Sequence, residues 1–127
     1  MIKQLFYCIT AFFVILFFVA SCTSVKKDEL LPAGCADTLN ITYSGTVVNI
    51  LRDNCYTCHS GSNSSSGYDL TDYPTLKKYA LNGILFGNIT HASGPGYHPM
   101  PPPPLPKLDT CEIYKIQLWI EAGAPEN

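Results

Sequence analysis

Positive charge is scarce in this chain. Its 127 residues include 8 Lys and Arg against 10 Asp and Glu, with no basic stripe, and this removes the electrostatic footprint that nucleic-acid binding requires. A second C-x-x-C or an H-x-x-x-H is missing, so a zinc site has no partner spacing for its remaining ligands. Strand-like and helix-like segments do not alternate, which deprives a thioredoxin-like thiol pair of its βαβ setting. Long apolar runs are absent too, with one exception. After Lys3, the stretch Leu5 to Ala20 is nearly all apolar. It is shorter than the ~20 residues that a spanning helix wants. A charge, an apolar core and small residues in that order describe a secretory signal, with a retained anchor helix as the competing reading.

Cysteine is what the chain does have, six in all. Cys8 lies within the apolar run and leaves with it. The second cysteine closes Val19-Ala20-Ser21-Cys22. An aliphatic residue and two small ones before a cysteine resemble the lipobox of bacterial lipoproteins. The resemblance implies a diacylglycerol on the Cys22 thiol, cleavage before it and acylation of the new amine. Several acyl chains anchor stably where a single one is marginal. In that family Thr23, a residue other than Asp after the cysteine, implies the outer membrane, and Lys27-Asp28-Glu29 resembles a short acidic surface-export tag. The chain is thereby expected to divide into a signal peptide over 1–21, a lipidated tether over 22–34 and a folded domain over 35–127. From Cys22 onward 106 residues remain, with seven basic and ten acidic side chains. A domain of that size often leans on cross-links or a cofactor.

Four cysteines are left. Two belong to Cys55-Tyr56-Thr57-Cys58-His59, a C-x-x-C-H motif. Two intervening residues place both thiols along one edge of a haem, where each can add to a vinyl group, and the following histidine sits below the iron as its proximal ligand. With this composition, chance produces the motif on the order of 0.01 times in such a chain. A plain Cys55–Cys58 disulfide is the bland alternative. Cys35 and Cys111 stand near the two ends of the domain, and in an oxidising compartment they most simply bond to each other. That bond would close a loop of 77 residues, worth roughly 4–5 kcal/mol in the chain-entropy picture. Two free, buried thiols are the alternative.

Periodicity predicts an all-α domain. Val47, Val48, Ile50 and Leu51 fall at helical spacing over Thr46 to Asp53, with Ser44 as a candidate cap, and this helix runs into the C-x-x-C-H motif. Thr38 to Ser44 reads as β-prone or irregular, and Ser60 to Gly67 as a flexible Gly/Ser/Asn loop. A second helix is expected over Asp72 to Leu81, with Pro74 in its first turn and Leu76, Tyr79 and Ala80 on one face. A weaker helical turn is expected over Gly83 to Thr90. Gly94 to Lys107 is too rich in proline for helix or inner strand and predicts a stiff, extended, polyproline-like wall. Asp109 and Glu112 have capping-box spacing. The helix they open carries Ile113, Ile116, Trp119 and Ile120, and Gly123 and Pro125 end it.

An iron held by His59 alone has one open face, and Met100, His98 and His91 are the candidates to fill it. Met/His ligation raises the reduction potential and suits electron transfer, whereas a second histidine lowers it. Met100 is favoured because it lies 41 residues after His59 within the proline segment, and His98 ranks ahead of His91. A methionine's usual role is gap filling, and loop histidines are usually solvated.

A helix ending in C-x-x-C-H, a later Met-Pro loop and a C-terminal helix with Trp119 resemble the small bacterial class I cytochrome c domain. Cys35, Tyr43, Ile89-Thr90-His91, Met100-Pro101, Lys107-Leu108, Cys111-Glu112-Ile113 and Trp119 to Ala124 resemble a lipoprotein subset of that family, over about Cys35 to the C-terminus. The resemblance implies a cytochrome c-like all-α fold wrapped around one covalent haem c. Cys55 and Cys58 would be attached to it, with His59 and Met100 as axial ligands. It implies a membrane-tethered one-electron carrier, with redox proteins as partners and no catalysis of its own. The Pro101 to Pro104 run is longer than the family's loop. The rivals are a five-coordinate or His-ligated haem protein for peroxide or gas sensing, for which no distal Arg–His pair is recognisable, and a non-haem lipoprotein module with two disulfides.

Overall fold

Three short polar side chains, Thr42, Asp72 and Asp109, turn this chain into its helices. The computed structural model describes residue 35, residues 38–62 and residues 64–127. The expected signal peptide and tether, with Cys22, lie outside these residues. Pro32–Asn127 form one compact unit.

The Thr42 hydroxyl accepts the Gly45 N–H at 3.1 Å. It opens a π-helical turn, Tyr43–Val47, that runs without a break into α1, Val48–Asn54. The cap thus lies two residues before the expected Ser44. Thr42 has the extended backbone (φ −115°, ψ 155°) that lets a short side chain reach forward to an unpaired amide. The expected apolar spacing holds, with Val47, Ile50 and Leu51 buried. Helix α2, Tyr73–Leu81, starts at Asp72, whose carboxylate accepts the Thr75 N–H at 3.0 Å. Pro74 sits in its first turn, where no donor is needed. Gly83, at φ 83°, separates α2 from α3, Ile84–Ile89. Helix α4, Thr110–Glu121, opens with the expected capping box. The Asp109 carboxylate accepts the Cys111 N–H at 2.8 Å, and the Glu112 carboxylate accepts the Asp109 N–H at 3.1 Å.

Among the described residues there is no strand, and the domain is all-α. No helix among them is long and apolar enough to cross a membrane. Helix α4 packs against the π-helical turn and α3, and α3 packs against α2. The shared core includes Leu51, Leu76, Ile89, Ile116 and Trp119, all essentially sealed from solvent. Each such side chain stabilises the fold by about 1.5–3 kcal/mol relative to exposure. Trp119 donates its indole N–H to the Pro125 carbonyl at 2.9 Å, which satisfies the only polar atom it buries. Tyr43 stacks on Trp119 with ring centroids 6.0 Å apart and meets Tyr73 edge-on at 5.0 Å.

Cys35 and Cys111 form a disulfide with Cα atoms 5.4 Å apart, which fastens the start of the domain to the first turn of α4. The proline segment departs from the expected straight wall. The peptide bonds Met100–Pro101 and Pro103–Pro104 are cis, and the Leu105 N–H closes a turn on the Pro102 carbonyl at 3.0 Å. Leu105 is the first residue after the four prolines that owns a backbone donor, and this places the turn there.

Candidate functional site

The C-x-x-C-H motif follows α1 directly as a hydrogen-bonded turn. The Leu51 carbonyl accepts the N–H groups of Cys55 (2.7 Å) and Tyr56 (3.0 Å), and the Cys55 carbonyl accepts those of Cys58 (3.1 Å) and His59 (2.9 Å). One hydrogen-bonded turn therefore carries Cys55, Cys58 and His59, with the two cysteines three positions apart. Neither thiol is bonded, and Cys55 is half-buried while Cys58 is exposed. Cys55 and Tyr56 pack against the core. Burial first, then the Glu112 carboxylate, then Cys58, push the Cys55 thiol up to about 11. The motif also sits at a helix C-terminus, whose carbonyls disfavour negative charge. Thiol–disulfide reagents need the reverse, a thiol lowered by a helix N-terminus or a cation. This environment keeps Cys55 protonated and argues against the thioredoxin-like alternative.

The loop after the motif returns to it at three points. The Cys58 carbonyl accepts the Ser65 N–H at 2.7 Å, and the His59 carbonyl accepts the Leu70 N–H at 2.9 Å. The third contact is between the His59 ring and the backbone: Nδ1 lies 3.2 Å from the Tyr68 carbonyl oxygen. A carbonyl can only accept, so Nδ1 carries the proton in that bond. The neutral ring then presents Nε2 as a lone pair, the tautomer a metal ligand needs. Leu70 is buried and pins the returning limb of the loop. Asp69 accepts from the Thr71 hydroxyl (2.6 Å) and N–H (2.9 Å), and these bonds hold its carboxyl below the usual range. Tyr68 contributes through a backbone atom, which carries no signature in the sequence.

Met100, His98 and His91 are gathered by a single residue, Asn88, at the end of α3. Its carbonyl accepts the N–H groups of Met100 and His91, each at 3.1 Å, and its side-chain oxygen accepts the His98 N–H at 2.9 Å. Met100 is half-buried and His98 exposed. The Tyr97 ring lies directly on Gly87, where a Cβ would collide with it. The sequence singled out Met100 and the two histidines, while Asn88, which positions all three, was not visible. The two groups, the Cys55–His59 turn and the Asn88 clamp, hang from different helices, α1 and α3, that share one core.

These residues suit a haem. Two unbonded thiols stand on one turn, one imidazole has its Nδ1 occupied and its Nε2 free, and a half-buried thioether is held by its backbone in a largely exposed segment. No three His, Cys, Asp or Glu side chains converge among the described residues. A surface groove beside the disulfide is lined by Asn40, Asn49, Ile50, Cys111, Glu112 and Lys115. Its lining includes none of the motif residues. Compared with protein-family models, with curated proteins and with solved structures, the chain gives no match.

Proposed function

We propose that this protein is a membrane-anchored one-electron carrier with a single covalent haem c. The observation that carries the reading is the His59 ring, held by the Tyr68 carbonyl with Nε2 left free, on the same turn as two unpaired thiols. Cys55 and Cys58 would hold the haem through thioether bonds, each S–H adding across a vinyl group. His59 would be the proximal ligand and Met100 the sixth, a pairing that raises the reduction potential. The bound haem supplies reversible one-electron chemistry of its iron. The chain's own residues hold and shield it. Tyr68 orients His59, Asn88 and the Tyr97–Gly87 contact fix the segment bearing Met100, and the helical core keeps both groups in place. The lipid on Cys22 would tether the carrier to the outer membrane within reach of redox proteins.

The test is expression from Thr23 onward, behind a cleavable periplasmic signal and with the haem-attachment machinery, followed by spectra of both oxidation states. The expected result is a covalently bound c-type haem. Its oxidised form should show the weak far-red band of methionine–iron ligation, and Met100→Ala should abolish that band. Haem without the band would move the reading to a His-ligated or open site. A colourless protein would sink it.

A further inference from the structure

Among the described residues, one buried side-chain nitrogen or oxygen has no hydrogen-bond partner: Nε2 of His91. Folded proteins ordinarily satisfy such atoms, and an exception asks for an explanation. His91 is unusual in its backbone too, with φ at 57°, a left-handed conformation that few residues with a Cβ adopt. It is held there by its N–H on the Asn88 carbonyl, the same oxygen that accepts the Met100 N–H. The two backbone nitrogens each lie 3.1 Å from that oxygen, so they can be no more than twice that distance apart. The unpartnered imidazole and the sulfur proposed for the iron therefore start from one anchor.

We propose that the partner of His91 is the cofactor: Nε2–H donates to a propionate carboxylate of the bound haem. This rests on the haem reading above. A haem offers polar partners of two kinds, its iron and its two carboxylates. The iron is assigned to His59 and Met100, which leaves the carboxylates. They only accept, and an imidazole N–H is a fitting donor to them. A hydrogen bond to an ionised acceptor is short and strong, most of all where water is excluded. Two other cationic or imidazole donors are engaged or solvated. His98 is exposed, and the one arginine, Arg52, is exposed and donates to the Asn49 side chain at 2.8 Å. His91 thereby becomes a cofactor-contacting residue, distinct from the axial ligands, that fixes which way the haem faces in its crevice.

The experiment uses the full-length, haem-loaded chain in detergent, reduced to the diamagnetic ferrous state and labelled with ¹⁵N-histidine. The expected result is a slowly exchanging Nε2–H of His91 with cross-relaxation to propionate methylene protons. The propionate bending band in the resonance Raman spectrum should shift in His91→Asn and stay in place in His98→Asn. Asparagine tolerates the left-handed backbone, so His91→Asn keeps the fold, and the far-red methionine band should persist in it. A haem-loaded protein whose His91 Nε2–H exchanges at the solvent rate, contacts only protein groups, or is absent because Nε2 binds the iron would overturn this assignment alone. A colourless chain would overturn the haem reading and this assignment together.

Discussion

The ring of His59 and the backbone of Tyr68, nine positions apart, meet at 3.2 Å between Nδ1 and the carbonyl oxygen, and that contact ties the intervening loop to the histidine of the motif. The carbonyl belongs to the backbone, so the Tyr68 side chain is dispensable for it. Tyr68→Ala should leave the haem spectrum and the reduction potential of the loaded protein unchanged. Leu70→Ala should act differently, because Leu70 is the buried pin of the same loop. It should lower unfolding free energy by about 2–5 kcal/mol and lower the potential through a looser His59. Potentiometric titration of both variants separates the two. A shift in Tyr68→Ala equal to that in Leu70→Ala would mean the ring carries the effect.

The two motif thiols should react unequally in the haem-free chain. Cys58 is exposed and Cys55 half-buried, with the Cys55 pKa raised from 9.0 to about 11 by burial, then by Glu112 and by Cys58. Iodoacetamide near neutral pH should label Cys58 first, and Cys55 labelling should climb with pH towards about 11. The linkage has a definite sign. A thiol that ionises later in the folded than in the unfolded chain contributes stability that is fully present below pH 9.0 and is lost as pH rises to about 11. Mass spectrometry of a pH series after short exposure reads the labelling. Equal rates for both thiols would contradict the burial argument.

Parts of this fold were legible because their causes are local. Asp72 and Asp109 cap helices by reaching two or three residues ahead, and the spacing of Leu76 and Ala80 or of Ile116 and Trp119 marks a buried face within a few positions. The Cys35–Cys111 bond was legible by elimination, once the other four cysteines had roles. Thr42 and Ser44 were not distinguishable as caps, since both are good N-cap residues and only backbone conformation separates them. The loop over 60–67 reads as featureless by composition, yet its return brings the Tyr68 carbonyl to His59. Asn88 was illegible for a related reason. Its side chain accepts from a residue ten positions away and its carbonyl from one twelve away, and no spacing rule connects them.

The disulfide should matter more to stability than to redox chemistry. It joins residues 76 positions apart, so it restrains most of the unfolded domain, and removing such a bond costs about 2–5 kcal/mol. Cys35→Ser/Cys111→Ser should therefore shift the urea midpoint sharply while the loaded protein's spectrum stays the same. Asp109→Ala, which removes one side of the capping box on the same helix, should cost only about 1 kcal/mol. A disulfide variant no less stable than Asp109→Ala would show that the N-terminal segment adds nothing to the unfolded-state restraint.

Gly87 offers a sharper test of the segment that bears Met100. Helix propensity alone favours Gly87→Ala, since alanine is better than glycine inside a helix by about 1 kcal/mol. Packing opposes it, because the new Cβ would collide with the Tyr97 ring, and overpacking of a filled site costs about 1–3 kcal/mol. The Ala92 N–H also bonds the Gly87 carbonyl at 2.8 Å, so the backbone there has little room to retreat. The clash should win, with a net loss of up to about 2 kcal/mol in urea unfolding of the haem-free chain. Tyr97 lies three residues before Met100, so pushing its ring outward should also weaken the far-red methionine band of the loaded protein. Tyr97→Ala in the Gly87→Ala background removes the collision and should expose the propensity gain, making the double variant more stable than Gly87→Ala alone. If Gly87→Ala by itself stabilises the chain and leaves the band intact, the Tyr97 contact does not hold the Met100 segment, and the positioning of the proposed sixth ligand must be assigned to Asn88 alone.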